Sequence, residues 1–271
     1  PIDNANVKSC VVTIAEIRAD GKKIEGFSKS SLDLLAYQNG RIKNIGNVEV
    51  DAKSYTQLEL ILDHDVQENM MPGCYIEEND GTVHILTESD LTIQLDQNYN
   101  VEENGSTEVL LDFDLRKCVA QGNGSSSSEF KLVSETELKS GVRFTSENNR
   151  SIKGNCNDAL VANDKVIVYA YAKGTYDREK EMRGQGSSNI SFFNAVHSAP
   201  CDENGDFELH FMNEGEYELY FMAYDREANG SLRLKGSLEV NALSVLSPVA
   251  FELTNTANVE INVIATGLIG L

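Results

Sequence analysis

An alternating set of oxygen-bearing side chains is the first feature of this sequence that could do chemistry. Asp202, Asn204 and Asp206 occupy every second position of a short acidic segment, as ligands do at the start of a calcium-binding loop. A loop of that type needs Gly at its sixth position and Glu at its twelfth, whereas this segment has Gly205 at the fourth and Asn213 at the twelfth. We therefore interpret the segment as a hairpin turn and keep its three polar residues only as weak candidates for a metal site.

Two carboxylates that flank one residue form a second candidate. Asp112 and Asp114 lie on either side of Phe113, so both would point to one face of a strand. Paired carboxylates can divide acid and base roles when their environments differ. A short helix is predicted directly after them, over Leu115–Ala120, and Asp is a favoured cap at a helix start. We expect the structural role, in which the aspartates cap that helix.

The other residue types used in catalysis are dispersed. The four histidines show no HxxxH, HxH or HExxH spacing, and the GxSxG, Walker and dinucleotide-binding glycine patterns are absent. Cys201 has His197 nearby in sequence, which alone does not make a catalytic dyad. We therefore predict no catalytic residues and no cofactor, and we expect that the protein is not an enzyme.

Composition excludes further classes of function. The 271 residues carry a formal net charge of −20, and this field repels phosphate backbones, so we expect no nucleic-acid binding. No run approaches the ~20 apolar residues of a membrane-spanning helix. The chain starts at Pro1 without an initiator Met, so we expect any export signal or lipid anchor to lie upstream.

The five cysteines lack CxxC spacing, which predicts mostly buried free thiols, with Cys156 and Cys201 as the better pair if one disulfide forms.

Short alternating runs rich in Val, Ile, Phe and Tyr predict β-strands along most of the chain, because Gly, Asn and Asp bound them as turn residues do. Helical patterns are limited to Ser30–Tyr37 and Leu115–Ala120. The polar stretch Thr145–Arg150 has no hydrophobic residue, and we place a domain boundary there. The predicted domains are residues 1–146 and 147–271.

The second strand of the hairpin that follows the acidic turn has two hydrophobic faces. One face is assigned to the core. The opposite face carries Tyr220, Met222 and Tyr224, and we expect it to be semi-exposed and to line an interdomain seam or a binding patch. The low-complexity loop Gly122–Ser128 and the charged insertion Gly174–Ser188 are predicted to be mobile excursions or binding elements.

Four segments of the first half form a series with a defined order and spacing. They are Val11-Val12-Thr13-Ile14 with Ile17-Arg18, then Leu32-Asp33-Leu34-Leu35 followed by Asn39-Gly40, then Tyr55, Leu58 and Leu60, and finally Leu111-Asp112-Phe113-Asp114-Leu115. Over residues 1–145 this series resembles the domain of unknown function 4382, found in exported lipoproteins of the Bacteroidetes. In that family another strand and turn precede the first motif, and only Pro1-Ile2-Asp3 could match their end here, which would leave an unpaired sheet edge.

The second half carries a different pattern. Its segments are Ser151-Ile152-Lys153-Gly154, the tyrosine-containing run Lys165–Ala172, the turn and strand from Asp202 to Phe207, and Gly215-Glu216-Tyr217. Over residues 147–271 they resemble a transthyretin-like or carboxypeptidase-regulatory-like β-sandwich. The two resemblances imply an all-β chain of two β-sandwich domains, immunoglobulin-like or transthyretin-like, with one or two short helices. Modules of the second kind are mostly structural or interaction domains.

These observations together predict a non-enzymatic lipoprotein of the bacterial cell envelope that acts in binding, adhesion or scaffolding. We expect it to be exported to the outer membrane, cell surface or periplasm, held there by a lipid anchor, and to bind a protein or glycan partner. One alternative is a carbohydrate-binding or glycan-processing accessory protein that uses exposed tyrosines and acidic pairs. Another is a pilus-like surface-polymer subunit that accepts a donor strand at the unpaired edge.

Overall fold

The structure is a computed structural model of the 271-residue chain. It describes residues 6–67, 70–86, 91–121, 130–145, 150–158, 161, 163–242, 249–254 and 258–270. These residues form mostly β-strands, with three short α-helices and one 3-10 helix among them, so the all-β prediction is confirmed. None of the described helices is long and apolar enough to cross a membrane. The chain divides into two compact units, one of residues 7–146 and the other of residues 147–271 together with Asn6.

The unit of residues 7–146 is built around one long strand, β1. Its strands are β1 (Val7–Ala19), β2 (Lys22–Lys23), β3 (Ser30–Asp33), β4 (Ser54–Leu62), β5 (Tyr75–Glu78), β6 (Val83–Ile85), β7 (Leu91–Asn100), β8 (Leu110–Phe113), β9 (Val119–Gln121), β10 (Phe130–Leu132) and β11 (Val142–Thr145). Its helices are a 3-10 helix (Leu34–Tyr37), α1 (Leu115–Cys118) and α2 (Glu135–Gly141). The main sheet has the order β6-β5-β1-β4-β7, and β2 and β3 also pair with β1. Strand pairs β9–β10 and β8–β11 stand as two further small sheets.

The segment Ser30–Tyr37 differs from its prediction as a helix. Its first half is strand β3, which pairs antiparallel with Val11–Ile14 of β1, and only Leu34–Tyr37 forms a single 3-10 turn. Pairing with a distant strand therefore overrides the local helical pattern.

The two α-helices of this unit have sequence-encoded starts. Helix α1 begins where predicted, because the Asp114 carboxylate accepts a hydrogen bond from the Arg116 backbone N–H at 3.2 Å. Helix α2 was not predicted, although Ser134 and Glu137 have capping-box spacing. The Glu137 carboxylate accepts from the Ser134 N–H at 3.1 Å and from the Ser134 hydroxyl at 2.8 Å. Each helix start is thus fixed by a carboxylate that satisfies free backbone donors.

The unit of residues 147–271 consists of one larger sheet. Its strands are β12 (Ile152–Asn157), β13 (Lys165–Ala172), β14 (His197–Pro200), β15 (Asp206–Leu209), β16 (Gly215–Arg226), β17 (Leu232–Ala242), β18 (Val249–Leu253) and β19 (Val259–Gly270), and its described helix is α3 (Arg178–Glu181). The sheet order is β14-β13-β16-β17-β19-β12-β15, with β18 paired to β16. Pairing is antiparallel except between β12 and β19.

This sheet wraps around its larger core. Every one of its eight strands contributes at least one residue to this cluster of buried side chains, which includes Leu209, Leu219 and Phe221. The two strands at the ends of the sheet order, β14 and β15, are consecutive in the chain and joined by the turn at residues 201–205. The two sheet ends therefore meet at that turn.

Candidate functional site

The face of β16 that was predicted to be semi-exposed is buried. Met222 is 0% exposed and Tyr224 is 7% exposed, whereas Tyr220 is half-buried. Residues 173–196, which we call the insertion, connect β13 to β14 and supply Phe192 and Ala195 to a second core cluster on this face. The prediction of a semi-exposed patch is wrong for Met222 and Tyr224, because the residues that bury them come from outside the strand pattern.

Aromatic rings hold the insertion against the strands. The Tyr176 ring stacks on Tyr220 with a centroid separation of 3.7 Å, and the Phe192 ring stacks on Tyr169 at 4.2 Å. The hydroxyls of Tyr169 and Tyr224 form a hydrogen bond of 2.7 Å beside them. The predicted loop Gly174–Ser188 is consequently a packed element that includes helix α3.

A buried carboxylate organises the insertion. Glu181, at the end of α3, is 1% exposed. Its Oε2 atom accepts hydrogen bonds from the Tyr171 hydroxyl at 2.8 Å and from the Asn194 backbone N–H at 3.2 Å. Its Oε1 atom accepts from the side-chain amides of Gln185 at 3.2 Å and Asn194 at 2.5 Å. A buried carboxylate needs such a set of donors to offset desolvation, so this network ties both halves of the insertion to β13.

Burial also controls the ionisation of the two tyrosines that stack between the insertion and β16. Burial raises the pKa of Tyr176 to about 12. Burial, together with the hydrogen bond that its hydroxyl donates to Glu218 at 3.1 Å, raises the pKa of Tyr220. The Tyr176 hydroxyl has no hydrogen-bond partner within the described part of the chain. These phenols are neutral at neutral pH, and their arrangement serves packing.

A cleft of about 460 Å³ lies at one end of the 147–271 unit. Three segments line it, residues 155–158, 163–166 and 201–205. Amide and carboxylate side chains dominate the lining, and Lys165 is its one basic residue. The cleft is therefore polar and acidic, and it is framed by the chain segments that meet where the sheet ends come together.

The turn on one wall of the cleft contains the weak metal candidates. The Asp202 carboxylate accepts from the backbone N–H groups of Asn204 at 2.8 Å and Asp206 at 2.9 Å. The Asn155 side-chain amide donates to the Asn204 carbonyl and to the Asp206 carboxylate, both at 2.8 Å. These bonds form the predicted turn with its Asp, Asn and Gly chemistry. The predicted hairpin is wrong, because β14 and β15 do not pair with each other and β15 pairs with β12 and not with β16. Nowhere in the described ranges do three or more His, Cys, Asp or Glu side chains form a group that could hold a metal ion.

A glycine brings this turn close to the neighbouring strand. Gly205 has a φ of +84°, and a Cβ atom there would lie 2.4 Å from the carbonyl oxygen of Cys156. The Cys156 N–H donates in turn to the Gly205 carbonyl at 2.9 Å. Only glycine permits both the left-handed backbone and this approach, so the turn is held firmly against β12.

The acidic groups of the opposite wall are also positioned by hydrogen bonds. The Asp158 carboxylate accepts from the Asn163 amide at 2.9 Å, and the Asp164 carboxylate accepts from the Arg226 backbone N–H at 2.7 Å. Glu203, by contrast, projects from the turn as an exposed side chain. The walls thus carry polar groups held by hydrogen bonds, and three of the four acidic residues in the lining, Asp164, Asp202 and Glu203, are exposed.

Two thiols lie at the inner side of the cleft. Cys156 and Cys201 line it but are only 1% and 3% exposed. The side-chain hydrogen bond with Cys156, followed by burial, raises the pKa of the Cys201 thiol far above its usual value. The Nδ1 atom of His197 accepts from the Ser198 backbone N–H at 2.7 Å. The Cys201 thiol is therefore protonated, which does not suit a nucleophile.

The paired aspartates of the first unit have separate structural partners. Asp114 caps α1 and forms an ion pair with Arg116 at 2.9 Å. Asp112 accepts from the Arg143 Nε at 3.1 Å, across the β8–β11 pair. The structural role expected for Asp114 as a helix cap is confirmed. The predicted loop Gly122–Ser128 lies outside the described residues.

A family model matches the first region of the chain. Residues 1–133 match the family model described as "Domain of unknown function (DUF4382)". This match supports the resemblance inferred from the four segments. Residues 134–271 lie outside the match. No curated protein matches the chain.

The chain is also similar to solved structures of pilin subunits. One is a variant of BcpA, the major pilin subunit of Bacillus cereus, which is 8% identical with a TM-score of 0.26 over 98% of this chain and 62% of that chain. Another is the full-length major pilin RrgB from Streptococcus pneumoniae, 10% identical with a TM-score of 0.21 over 97% of this chain and 67% of that chain. The chain spans 62% of the length of the BcpA variant. Likeness at this level does not define a function.

Proposed function

We propose that this chain is a non-enzymatic binding or scaffolding protein of the bacterial cell envelope. In this proposal the cleft of the 147–271 unit binds a protein or glycan partner at the cell surface. The observation that carries the proposal is the cleft itself, where hydrogen bonds position several of the amide and carboxylate groups that line it. Pre-positioned polar groups of this kind bind partners without a large ordering cost.

The surroundings of the candidate catalytic groups support a binding role. The carboxylates that could have formed an acid–base pair each have an arginine partner, and the thiol nearest a histidine is buried and protonated. These groups have structural roles, so we propose that the cleft binds a partner and does not catalyse a reaction.

The charge of the cleft narrows the class of partner. Four acidic side chains and one lysine line it, so it repels phosphate and other anions. A surface rich in hydroxyl or basic groups is the complementary partner, because amides and carboxylates accept hydrogen bonds from both. Nucleic acid does not fit this description.

The envelope location rests on the family resemblance of the first region. Exported lipoproteins carry an acylated cysteine upstream of the folded domain, and we propose such an anchor for the full-length protein. Metabolic labelling of the expressing bacterium with an alkyne fatty acid tests this part of the proposal. Label on the full-length protein, lost when the upstream cysteine is replaced, is expected, and an unlabelled protein would contradict the anchor.

The introduction of positive charge into the cleft tests the binding role. Fluorescently labelled chain is titrated onto intact cells of the source bacterium, as wild type and as Asn157→Arg with Glu203→Arg, two exposed positions of the cleft. The double variant is expected to bind about tenfold more weakly, because it replaces hydrogen-bonding groups with two cations. Glu252→Arg on β18 is the matched control at an exposed position outside the cleft lining. Equal loss in both variants would overturn the assignment of the cleft.

A glycan partner is the second candidate that the cleft chemistry favours. Sugar hydroxyls bind side-chain amides and carboxylates, and both line the cleft. A glycan array probed with the wild-type chain and with the double variant separates the two classes of partner. Binding to defined glycans that the double variant loses supports the glycan; signal at background level assigns the cleft to a protein partner.

A further inference from the structure

The two cysteines of the 147–271 unit lie near the two opposite ends of its sheet. Cys156 is on β12, near one end of the sheet order, and Cys201 directly follows β14, at the other end. Both side chains are buried in the same core cluster, at 1% and 3% exposure. The Cys156 N–H donates to Gly205, and the Cys201 N–H donates to Val166, each at 2.9 Å, so both backbones are held by strand-type hydrogen bonds.

These two residues lie in the same core cluster and border the same cleft. The Cys156 side chain is also the largest cause of the raised pKa of the Cys201 thiol. Two buried cysteines in one cluster, on backbones that are already fixed, are candidates for a disulfide. They are unbonded in this structure.

Two of the three cysteines of the 7–146 unit provide a contrast. The Cys74 thiol donates to the carbonyl oxygen of Asp63 at 3.3 Å, and the Cys118 thiol donates to the carbonyl oxygen of Gly141 at 3.4 Å. These thiols already have a backbone acceptor, as buried free cysteines commonly do. Cys156 and Cys201 instead share one core cluster.

We propose that Cys156 and Cys201 form a disulfide bond that fastens the two ends of the wrapped sheet together. The bond forms by thiol–disulfide exchange with an oxidised dithiol oxidase or another disulfide donor of an exported compartment. One cysteine thiolate attacks the donor disulfide to form a mixed disulfide, and the second thiolate then displaces the donor. The cysteine pair loses two electrons and two protons, and the donor leaves as a dithiol.

Burial determines when this reaction takes place. Both sulfur atoms are shielded in the folded unit, so the exchange occurs during folding, before the sheet ends close. The finished bond encloses the segment from residue 156 to residue 201, which contains β13, the insertion and β14. It would also fix the inner wall of the cleft, but it forms whether or not the cleft binds a partner.

A thiol count on the wild-type chain gives the first test. The chain is refolded with oxidised glutathione, unfolded in denaturant without reductant, and titrated with a thiol-reactive dye. Three reactive thiols are expected before reduction and five after it, because the chain has five cysteines and one bond. The intact mass should fall by about 2 Da on oxidation. Five reactive thiols before reduction would overturn the proposal.

Tryptic mapping identifies the pair. Cleavage at lysine and arginine places Cys156 in the peptide 154–165 and Cys201 in the peptide 184–226. These two peptides should appear as one linked species that separates on reduction. A linked species that contains Cys10, Cys74 or Cys118 instead would also overturn the assignment.

A stability measurement then tests the structural role. Oxidised wild type is expected to melt about 10 °C above the reduced protein, because the bond restricts the unfolded chain. Cys156→Ala with Cys201→Ala should melt at one temperature with or without reductant. Cys74→Ala with Cys118→Ala is the matched control and should keep the reductant-dependent difference. A wild-type melting temperature that reductant leaves unchanged, in a sample with three reactive thiols, would show that the bond forms without fastening the sheet.

Discussion

The two faces of the β13–β16 strand pair are buried by different kinds of partner. The inner face packs against strands from the whole 147–271 unit, and its contacts are aliphatic and phenylalanine side chains such as Leu219 and Phe221. The outer face is buried by the insertion, and its contacts are stacked tyrosines, a hydroxyl pair and the buried carboxylate of Glu181. One face of this strand pair thus packs in an apolar core, and the other face packs in a core of tyrosines and hydrogen-bonded polar groups.

This difference shows how an insertion becomes part of a fold. The inner core is non-directional, so its stability depends on buried area and packing. The outer core depends on matched donors and acceptors, because each buried hydroxyl and carboxylate needs a partner. Loss of one hydrogen-bond partner should therefore destabilise the outer core, whereas the inner core should respond mainly to changes in side-chain volume.

The inner face gives the largest expected effect. Phe221 is 1% exposed and meets Phe207 edge-on with ring centroids 5.7 Å apart. Phe221→Ala should lower the free energy of unfolding of the 147–271 unit by about 4 kcal/mol, because it leaves a cavity in the core. Hydrogen exchange at increasing denaturant, read by mass spectrometry on peptides of β13 and β16, measures this change in the full chain.

The outer face offers a matched phenylalanine. Phe192 of the insertion is also 1% exposed, and Phe192→Ala should cost about 3 kcal/mol on the same β13 and β16 peptides. The expected loss extends beyond the insertion because its ring stacks on Tyr169 of β13. If only the peptides of the insertion lost protection from hydrogen exchange, the outer core would be a separate, weaker folding unit. The two faces of the strand pair would then not belong to one cooperative unit.

The carboxylate network has the next effect in size. Glu181→Ala removes the acceptor of the Tyr171 hydroxyl and of two groups of Asn194, and should destabilise the unit by about 2 kcal/mol. Glu179→Ala, at an exposed position of the same helix, is the control and should stay within about 0.5 kcal/mol of wild type. Equal effects of the two variants would remove the distinction between the polar outer core and an ordinary surface helix.

The smallest expected effect has the opposite sign. The buried Tyr176 hydroxyl has no partner in the described ranges, so Tyr176→Phe should raise the free energy of unfolding at pH 7 by about 0.5 kcal/mol. The raised pKa of Tyr176, about 12, adds a pH dependence. The unfolded chain releases this proton near its usual pKa of about 10, so the stability due to the neutral phenol is lost as pH rises from about 10 to 12. Chemical unfolding at pH 7 and pH 11 should show a larger loss for wild type than for Tyr176→Phe.

Local chemistry made part of this structure predictable. The turn at residues 202–205 follows from an aspartate that satisfies backbone N–H groups and a glycine with positive φ, and both signals are local. The cap of α1 by Asp114 is of the same kind. The start of α2 could also have been predicted from the sequence, since Ser134 and Glu137 have the spacing of a capping box.

The remaining features depend on contacts between distant residues. The burial of Met222 and Tyr224 was missed because the period-2 pattern distinguishes two faces of a strand but does not show what packs on either one. In β13 the residues Val166–Tyr171 are buried without alternation, which was the signal of a strand covered on both faces. The cleft was missed for a related reason, because its walls come from segments that only the closing of the sheet brings together.

The parallel pair β12–β19 has a mechanical consequence. These strands are the first and the last of the 147–271 unit, and they pair in register from Ile152 opposite Val259 to Asn157 opposite Ile264. A pulling force on the start of β12 and the end of β19 acts along the ladder in opposite directions, so its hydrogen bonds are loaded together in shear. Strands loaded in this way resist extension far better than strands that are peeled apart one bond at a time. The β12–β19 ladder is therefore expected to resist a pull applied at the two ends of this unit.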